Sequence, residues 1–137
     1  MIRNRLAVMV GLVISFVVII IGEAISHSLN PLPVNVDIRN PEAFLTFVST
    51  APASFHLMIL GNYALACFAG GIVVSAMATD NQIRKALMVG GILMALGWYN
   101  LISLSHPTWV VICGLFAFLP FAYLGAKVGI KFFFKRN

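Results

Sequence analysis

The predicted fold follows from residues 86–132, which read ALMVGGILMALGWYNLISLSHPTWVVICGLFAFLPFAYLGAKVGIKF. About 20 helical residues cross a hydrocarbon core of about 30 Å, so this stretch is long enough for two crossings. The pair His106-Pro107 divides it, because proline has no N–H to continue a helix and restricts the residue before it. We therefore predict two membrane-spanning helices, over 86–105 and 108–132, joined by a tight turn.

Two further apolar stretches lie upstream, over 6–27 and 52–79. The apolar core of the first is longer than the roughly 7–15 residues of a signal peptide, so we expect a retained membrane anchor. Four spans predict an all-α fold: a four-transmembrane-helix bundle that forms a single domain over 1–137.

The composition agrees with a protein that lies in a lipid bilayer. Of the 137 residues, 61% are apolar and 9% charged, against roughly 25% charged in soluble domains. The mean hydropathy is +0.98. These values exclude a soluble domain and a disordered chain. The net charge of +5 comes from only a few basic residues, so we expect no nucleic acid among the partners.

The basic residues predict the orientation of the bundle. If the four spans alternate, eight of the nine Lys and Arg residues fall on one side: Arg3, Arg5, Arg84, Lys85, Lys127, Lys131, Lys135 and Arg136. Only Arg39 falls on the other side. Because cytoplasmic loops carry an excess of Lys and Arg, we predict that both termini are cytoplasmic.

The loop 28–51 is the one sizeable segment outside the predicted spans. Asn40-Pro41-Glu42 is typical of a helix start, since Asn caps, Pro suits the first position and Glu faces the positive end of the dipole. Apolar residues follow at helical spacing: Phe44, Leu45, Phe47 and Val48. We predict a short amphipathic helix in this first extracytoplasmic loop. The alternative is a simple N-terminal extension of the second span.

Glu23 is the only acidic residue within any predicted span. An ionisable side chain in a membrane helix is costly and is a functional hypothesis by default. Its place near the C-terminal end of a helix is also unfavourable for a negative charge. His27 follows one turn later on the same helix face. Two interpretations stay open: Glu23 carries a function, or it pairs with His27 or caps a neighbouring helix.

Several polar residues lie at a depth similar to that of Glu23. His56 and Asn100 are within about 8 Å of the outer ends of their spans at 1.5 Å per residue. The candidate polar or proton site is therefore Glu23, His27, His56 and Asn100, with secondary candidates Asn62, Tyr99 and His106. We expect Glu23 to hydrogen-bond to at least one of His27, His56 and Asn100, directly or through water.

The same residues carry no recognisable catalytic pattern. Two histidines and a carboxylate are ligand types for zinc or iron, but Glu23 and His27 lack the HExxH context. The sequence has no glycine-rich phosphate loop and no nucleophile elbow. We therefore predict no catalytic residues, no metal and no cofactor.

The spacing of the polar and small residues resembles that of small uncharacterised bacterial four-span membrane proteins over nearly the whole chain. The matching elements are Gly22-Glu23, His27, Pro31, Pro33, Asp37, Glu42-Ala43, Gly61, Gly70-Gly71, Asn100, His106-Pro107, Trp109, Pro120 and Gly125. The resemblance implies a bacterial cytoplasmic (inner) membrane protein and no particular chemistry. Small multidrug transporters also have an acid in span one, but near its middle, whereas Glu23 is near the outer end.

Three functions compete on this sequence. The favoured one is a non-enzymatic structural or accessory subunit, either a homo-oligomer or part of a larger membrane complex. Pairs of small residues four apart, such as Gly91 and Ala95, permit close helix approach and fit that role. The second is a proton-linked small-molecule transporter or binding protein that uses Glu23 in an outward-facing pocket. The third is a membrane enzyme using Glu23, His27 and His56.

Overall fold

The computed structural model describes residues 1–134, and all regular secondary structure in this part is helical. The helices are α1 (Ile2–Leu29), α2 (Pro41–Thr50), α3 (Ala53–Met77), α4 (Gln82–Ser103) and α5 (Thr108–Phe134). All except α2 are long and apolar enough to cross a membrane. This confirms the predicted all-α, four-span bundle with a short helix in its first loop. Lys135 and Arg136, two of the residues behind the predicted orientation, lie outside the described residues.

Helix α3 is the centre of the bundle and packs against α1, α4 and α5. Helix α5 lies against α3 and α4, while α1 packs mainly on α3 and touches α4. The core that these helices share includes Val74, Val89, Leu93, Phe118 and Ala122. Helix α1 therefore lies at the edge of the bundle. One narrow face of it packs against the other helices, and the rest is open to the bilayer.

Small residues bring the helices together in the half of the bundle away from α2. A side chain at Gly125 of α5 would overlap the backbone of Phe68 in α3, so the two helices meet backbone to backbone. On the other side of α3, the Ser15 hydroxyl lies 2.9 Å from the carbonyl oxygens of both Gly11 and Ala66. Such close approach needs small residues and leaves this half of the bundle densely packed.

A polar cluster joins the start of α1 to the turn between α3 and α4. The Asn4 amide donates to the Asp80 carboxylate, which also pairs with the Lys85 ammonium at 2.7 Å. Arg3 donates from Nε to the Met77 carbonyl at 3.0 Å. Because these polar groups have partners, α1 and α4 each begin four residues before the apolar stretches predicted from the sequence.

Helix α2 lies across the opposite end of the bundle, which we call the α2 end. The Asn40 side chain caps it by accepting a hydrogen bond from the Glu42 N–H at 3.1 Å, as predicted. The Phe47 ring packs edge-on against Phe55 of α3, with centroids 5.8 Å apart. Val48 is fully buried. These contacts hold the apolar face of α2 over the mouth of the bundle.

A polar cavity at the α2 end

A cavity of about 210 Å³ lies at the α2 end, between α1, α3, α4 and the overlying α2. We call it the polar cavity. Its polar lining consists of Glu23, Ser26, His27, Asn62, Tyr63, Asn100 and His106. Its apolar lining consists of Phe44, Val48, Phe55, Met58, Ile59 and Leu104. A concave, mostly apolar surface with a few convergent polar groups is typical of small-molecule sites.

One face of α1 supplies the charged wall of the polar cavity. Glu23, Ser26 and His27 share this face because residues three and four apart lie above one another on a helix. The Glu23 carboxylate makes no hydrogen bond or ion pair with any residue in 1–134, so the direct bond expected to His27, His56 or Asn100 is not present. Glu23 is exposed at the edge of the cavity. Its carboxylate is therefore accessible to a ligand.

Asn62 ties the charged wall to α3. Its Nδ2 donates to the Ile19 carbonyl of α1 at 3.0 Å, and its Oδ1 is buried without a partner. A side chain at Gly22 would overlap the Asn62 amide, so glycine is required for the amide to reach α1. This contact fixes the rotation of α1 that turns Glu23 and Ser26 towards the cavity.

Tyr63 and Asn100 connect α3 to α4 beneath the cavity. The Tyr63 hydroxyl donates to Asn100 Oδ1 at 3.3 Å. The Tyr63 ring stacks on Phe118 of α5, with centroids 5.4 Å apart. The pair places a hydroxyl and an amide in the cavity floor while the tyrosine ring stays within the core.

His106 enters the cavity from the turn between α4 and α5. The turn reverses at Ser105, which has a φ of 54°, and the His106 N–H donates to the Leu101 carbonyl at 3.2 Å. The His106 ring lies 5.3 Å from that of His56, centroid to centroid, and no nitrogen of either ring has a hydrogen-bond partner. The pKa of His106 is lowered, mainly because burial disfavours its charged form and further because of the electrostatic effect of His56.

Three kinds of buried polar atom in the cavity lining lack partners: the Ser26 hydroxyl, Asn62 Oδ1 and the His106 ring nitrogens. Burying a polar group without a hydrogen bond is costly, and such groups in native structures call for an explanation. A molecule that offers hydrogen bonds inside the cavity would relieve this cost. Within residues 1–134, no three His, Cys, Asp or Glu side chains are placed to hold a metal ion together.

The structure thus brings together Glu23, His27 and Asn100 with the secondary candidates Asn62 and His106. His56 does not line the cavity, because it is buried behind His106 and packs against Phe55 and Trp109. Tyr99 is largely exposed and does not line the polar cavity.

Two polar residues of the lining, Ser26 and Tyr63, are not among the site candidates predicted from the sequence. Ser26 lies three residues after Glu23, and that spacing was the available signal for it. Tyr63 adjoins Asn62 in the sequence, but nothing there indicates that its hydroxyl reaches Asn100.

Comparison with protein-family models, curated proteins and solved structures gives no match to this chain. The geometry of the polar cavity is therefore the basis for assigning a function.

Proposed function

We propose that this chain is a binding protein of the bacterial inner membrane, with both termini in the cytoplasm and the polar cavity facing outwards. In this role the cavity receives a small molecule that carries a positively charged, hydrogen-bond-donating group. The observation that carries the proposal is the unpaired Glu23 carboxylate in a cavity with unpartnered polar atoms.

The distribution of space in the bundle supports binding at one face. The polar cavity lies at the α2 end, whereas the other half is closed by direct helix contacts. At Gly71, for example, a side chain would overlap the Ala122 carbonyl of α5. A ligand that enters from the α2 side is therefore stopped by the close helix contacts of the other half.

The charges around the cavity support a cationic ligand. Among residues 1–134, Glu23 is the only acid in its lining, and no Lys or Arg contributes to it. His106 favours its neutral form because its pKa is lowered. A bound ammonium would pair with the Glu23 carboxylate through a charge-assisted hydrogen bond, which is stronger than a bond between neutral groups.

The orientation is tested by single cysteines at Asn35 and Asn81, in a background with Cys67 and Cys113 replaced by alanine. We expect a membrane-impermeant maleimide to label N35C in intact cells and N81C only after permeabilisation. Labelling of N81C but not N35C in intact cells would reverse the proposed orientation.

The binding function is tested by protection of a cysteine at Ser26 in the same background. We expect the maleimide to react with S26C from outside, and butylamine to slow the reaction because its ammonium occupies the cavity. Glu23→Gln should abolish the protection, whereas Glu42→Gln, which removes an acid outside the polar cavity, should preserve it. Equal protection in both variants would contradict the proposal.

An accessory subunit or homo-oligomer is the second candidate, and one observation favours it. Gly91 and Ala95 form a small-residue step on the outside of α4: no atom lies within 4 Å of a Cβ placed at Gly91, and Ala95 is exposed. Such a step permits close approach of another helix. We expect Gly91→Leu to shift an oligomer towards monomer in mild detergent, while Gly61→Leu, also at an open position, leaves its mass unchanged.

A further inference from the structure

A second cavity, of about 160 Å³, adjoins the polar cavity between α1 and α4. The two share Glu23, Tyr63 and Asn100. All other lining residues of the second cavity are apolar or glycine: Phe16, Ile19, Leu93, Leu96, Gly97 and Phe118. We call it the apolar cleft. The polar cavity and the apolar cleft thus meet along the three residues that they share, of which Glu23 alone is acidic.

The apolar cleft runs along the helices from Glu23 towards the middle of the bilayer. Its α1 wall consists of Phe16, Ile19 and Glu23, which lie on one face of the helix at spacings of three and four. Phe16 and Glu23 are seven residues apart, which corresponds to about 10 Å along the axis. The floor is the stacked pair of Tyr63 and Phe118. The cleft is therefore elongated, and Glu23, its one ionisable acid or base among residues 1–134 apart from the Tyr63 phenol, lies at one end.

The cleft is open at its side. Phe16 on α1 is 41% exposed and Leu96 on α4 is 51% exposed, and both line the cleft. α1 packs on α3 far more than on α4, so the space between α1 and α4 is only partly closed. In a bilayer these two side chains face lipid tails. A molecule already dissolved in the membrane can therefore enter from the side with its polar end next to Glu23.

We infer that the ligand is a cationic amphiphile whose ammonium group lies in the polar cavity and whose hydrocarbon tail lies in the apolar cleft. This inference rests on the proposed function and names its ligand class. Since lipid tails are as apolar as the cleft, the tail gains little by leaving the bilayer, and selection depends on the head group. No Lys or Arg of the described part of the chain lines either cavity, so Glu23 selects a positive head group over a neutral or anionic one.

The inference is tested with dodecylamine and the full-length protein in non-ionic detergent, with binding measured by calorimetry. We expect Leu96→Trp to fill the side opening, so that a long-tailed amine can no longer bring its ammonium to Glu23, and Glu23→Gln to remove the acidic group. Each substitution should raise the Kd by about tenfold. Leu65→Trp is the matched control, because Leu65 is as exposed as Leu96 but lines neither cavity. It should leave the Kd unchanged.

Butylamine, which has the same head group and too short a tail for the cleft, separates the two proposals. Its binding should depend on Glu23 and be indifferent to Leu96→Trp. If Leu96→Trp and Leu65→Trp bind dodecylamine equally, the assignment of the tail to the cleft is overturned, although Glu23-dependent binding of butylamine would still support the proposed function. If neither amine depends on Glu23, both proposals are overturned.

A measurement on the unsubstituted protein keeps the inference testable even if a variant folds poorly. Dodecylamine with a photoreactive diazirine in the middle of its tail should crosslink chiefly to Phe16, Ile19, Leu93 and Leu96. Dodecanol with the same diazirine should react over all lipid-exposed faces, because it lacks the charge that directs the amine. Equal labelling of Leu65 and Leu96 by the amine would overturn the inference.

Discussion

The imidazole rings of His56 and His106 are buried next to each other at the α2 end, and their nitrogens make no hydrogen bonds. The lowered pKa of His106 links this arrangement to pH. In the unfolded chain His106 has its ordinary pKa of about 6.5. In the folded state its pKa is lower, so the ring takes up a proton only at lower pH. As pH falls through about 6.5, the unfolded state binds more protons, and the folded state loses stability.

The first prediction is that His106→Asn makes the protein less sensitive to acid. The Tm of the unsubstituted protein should fall between pH 7.5 and pH 5, and the fall should be smaller in the variant because the group that resists protonation is gone. His27→Asn, at an exposed position, is the control and should show the full fall. An unchanged acid response in His106→Asn would contradict the assignment of this effect to His106.

The second prediction concerns Gly22. Alanine there places a methyl group on the Asn62 amide, so the hydrogen bond to Ile19 is lost or the helices move apart. We expect a loss of about 1–3 kcal/mol in the free energy of unfolding, measured in mixed micelles. Gly61→Ala, where the methyl group meets no atom, should be neutral or slightly stabilising, since alanine favours helix. Equal effects at the two positions would show that the close approach at Gly22 is unimportant.

At the residue scale, the sequence predicted Glu23 as a candidate because acids are rare in membrane helices. It did not predict which neighbours face Glu23, because that depends on helix rotation. Helix α3 is apolar on all sides, so its pattern does not reveal which face is turned inwards. For this reason His56, at a similar depth, lies behind His106, while Tyr63 reaches the cavity floor.

At the scale of the element, α2 is the part of the site that its own sequence specifies best. The Asn40 cap and the proline at the first position predicted where the helix begins, and the apolar spacing predicted the face that now carries Phe47 and Val48. Its lid-like position over the cavity was not predictable, because it depends on the contact of Phe47 with Phe55 of another helix.

The third prediction follows from that cap. Asn40→Ala removes the hydrogen bond to the first turn of α2, a loss of about 1 kcal/mol, so the helix should open about fivefold more often. The labelling rate of S26C beneath it should rise by the same factor. Asn35→Ala is the control, because the Asn35 side chain makes no hydrogen bond in the described part of the chain. A cavity that is equally accessible in both variants would mean that α2 does not cover it.

At the scale of the whole molecule, the lengths of the apolar stretches predicted the four-span architecture. They did not predict the polar contacts that join the helices at the end opposite α2. There the Asp80 carboxylate binds both Asn4 and Lys85, and its pKa is lowered, first of all by the hydrogen bond from Lys85. Stability from this group is therefore present above the ordinary aspartate value of about 3.9 and is lost as pH falls below it.

The fourth prediction is that Asp80→Asn lowers the Tm at pH 7 and that the difference from the unsubstituted protein becomes smaller as the pH falls below about 3.9. Salt should reduce the difference at pH 7, because Asp80 is exposed and its charge is screened. In a Lys85→Met background the further substitution of Asp80 should have little effect, since the main partner is already absent. An identical Tm for Asp80→Asn and the unsubstituted protein at pH 7 would mean that this polar cluster does not stabilise the fold.

The backbone contacts at Gly125 and around Ser15 also divide the bundle into a stiff half and a compliant half. Where helices touch through their backbones, neither can tilt or rotate without overlap, so that half has little room to rearrange. At the α2 end, larger side chains surround open space and can adjust. Any motion on ligand binding is therefore expected to end near the middle of the membrane. An occupied cavity would then change the surfaces that the helices of the α2 half present to a neighbouring chain, and not the surface at the end opposite α2.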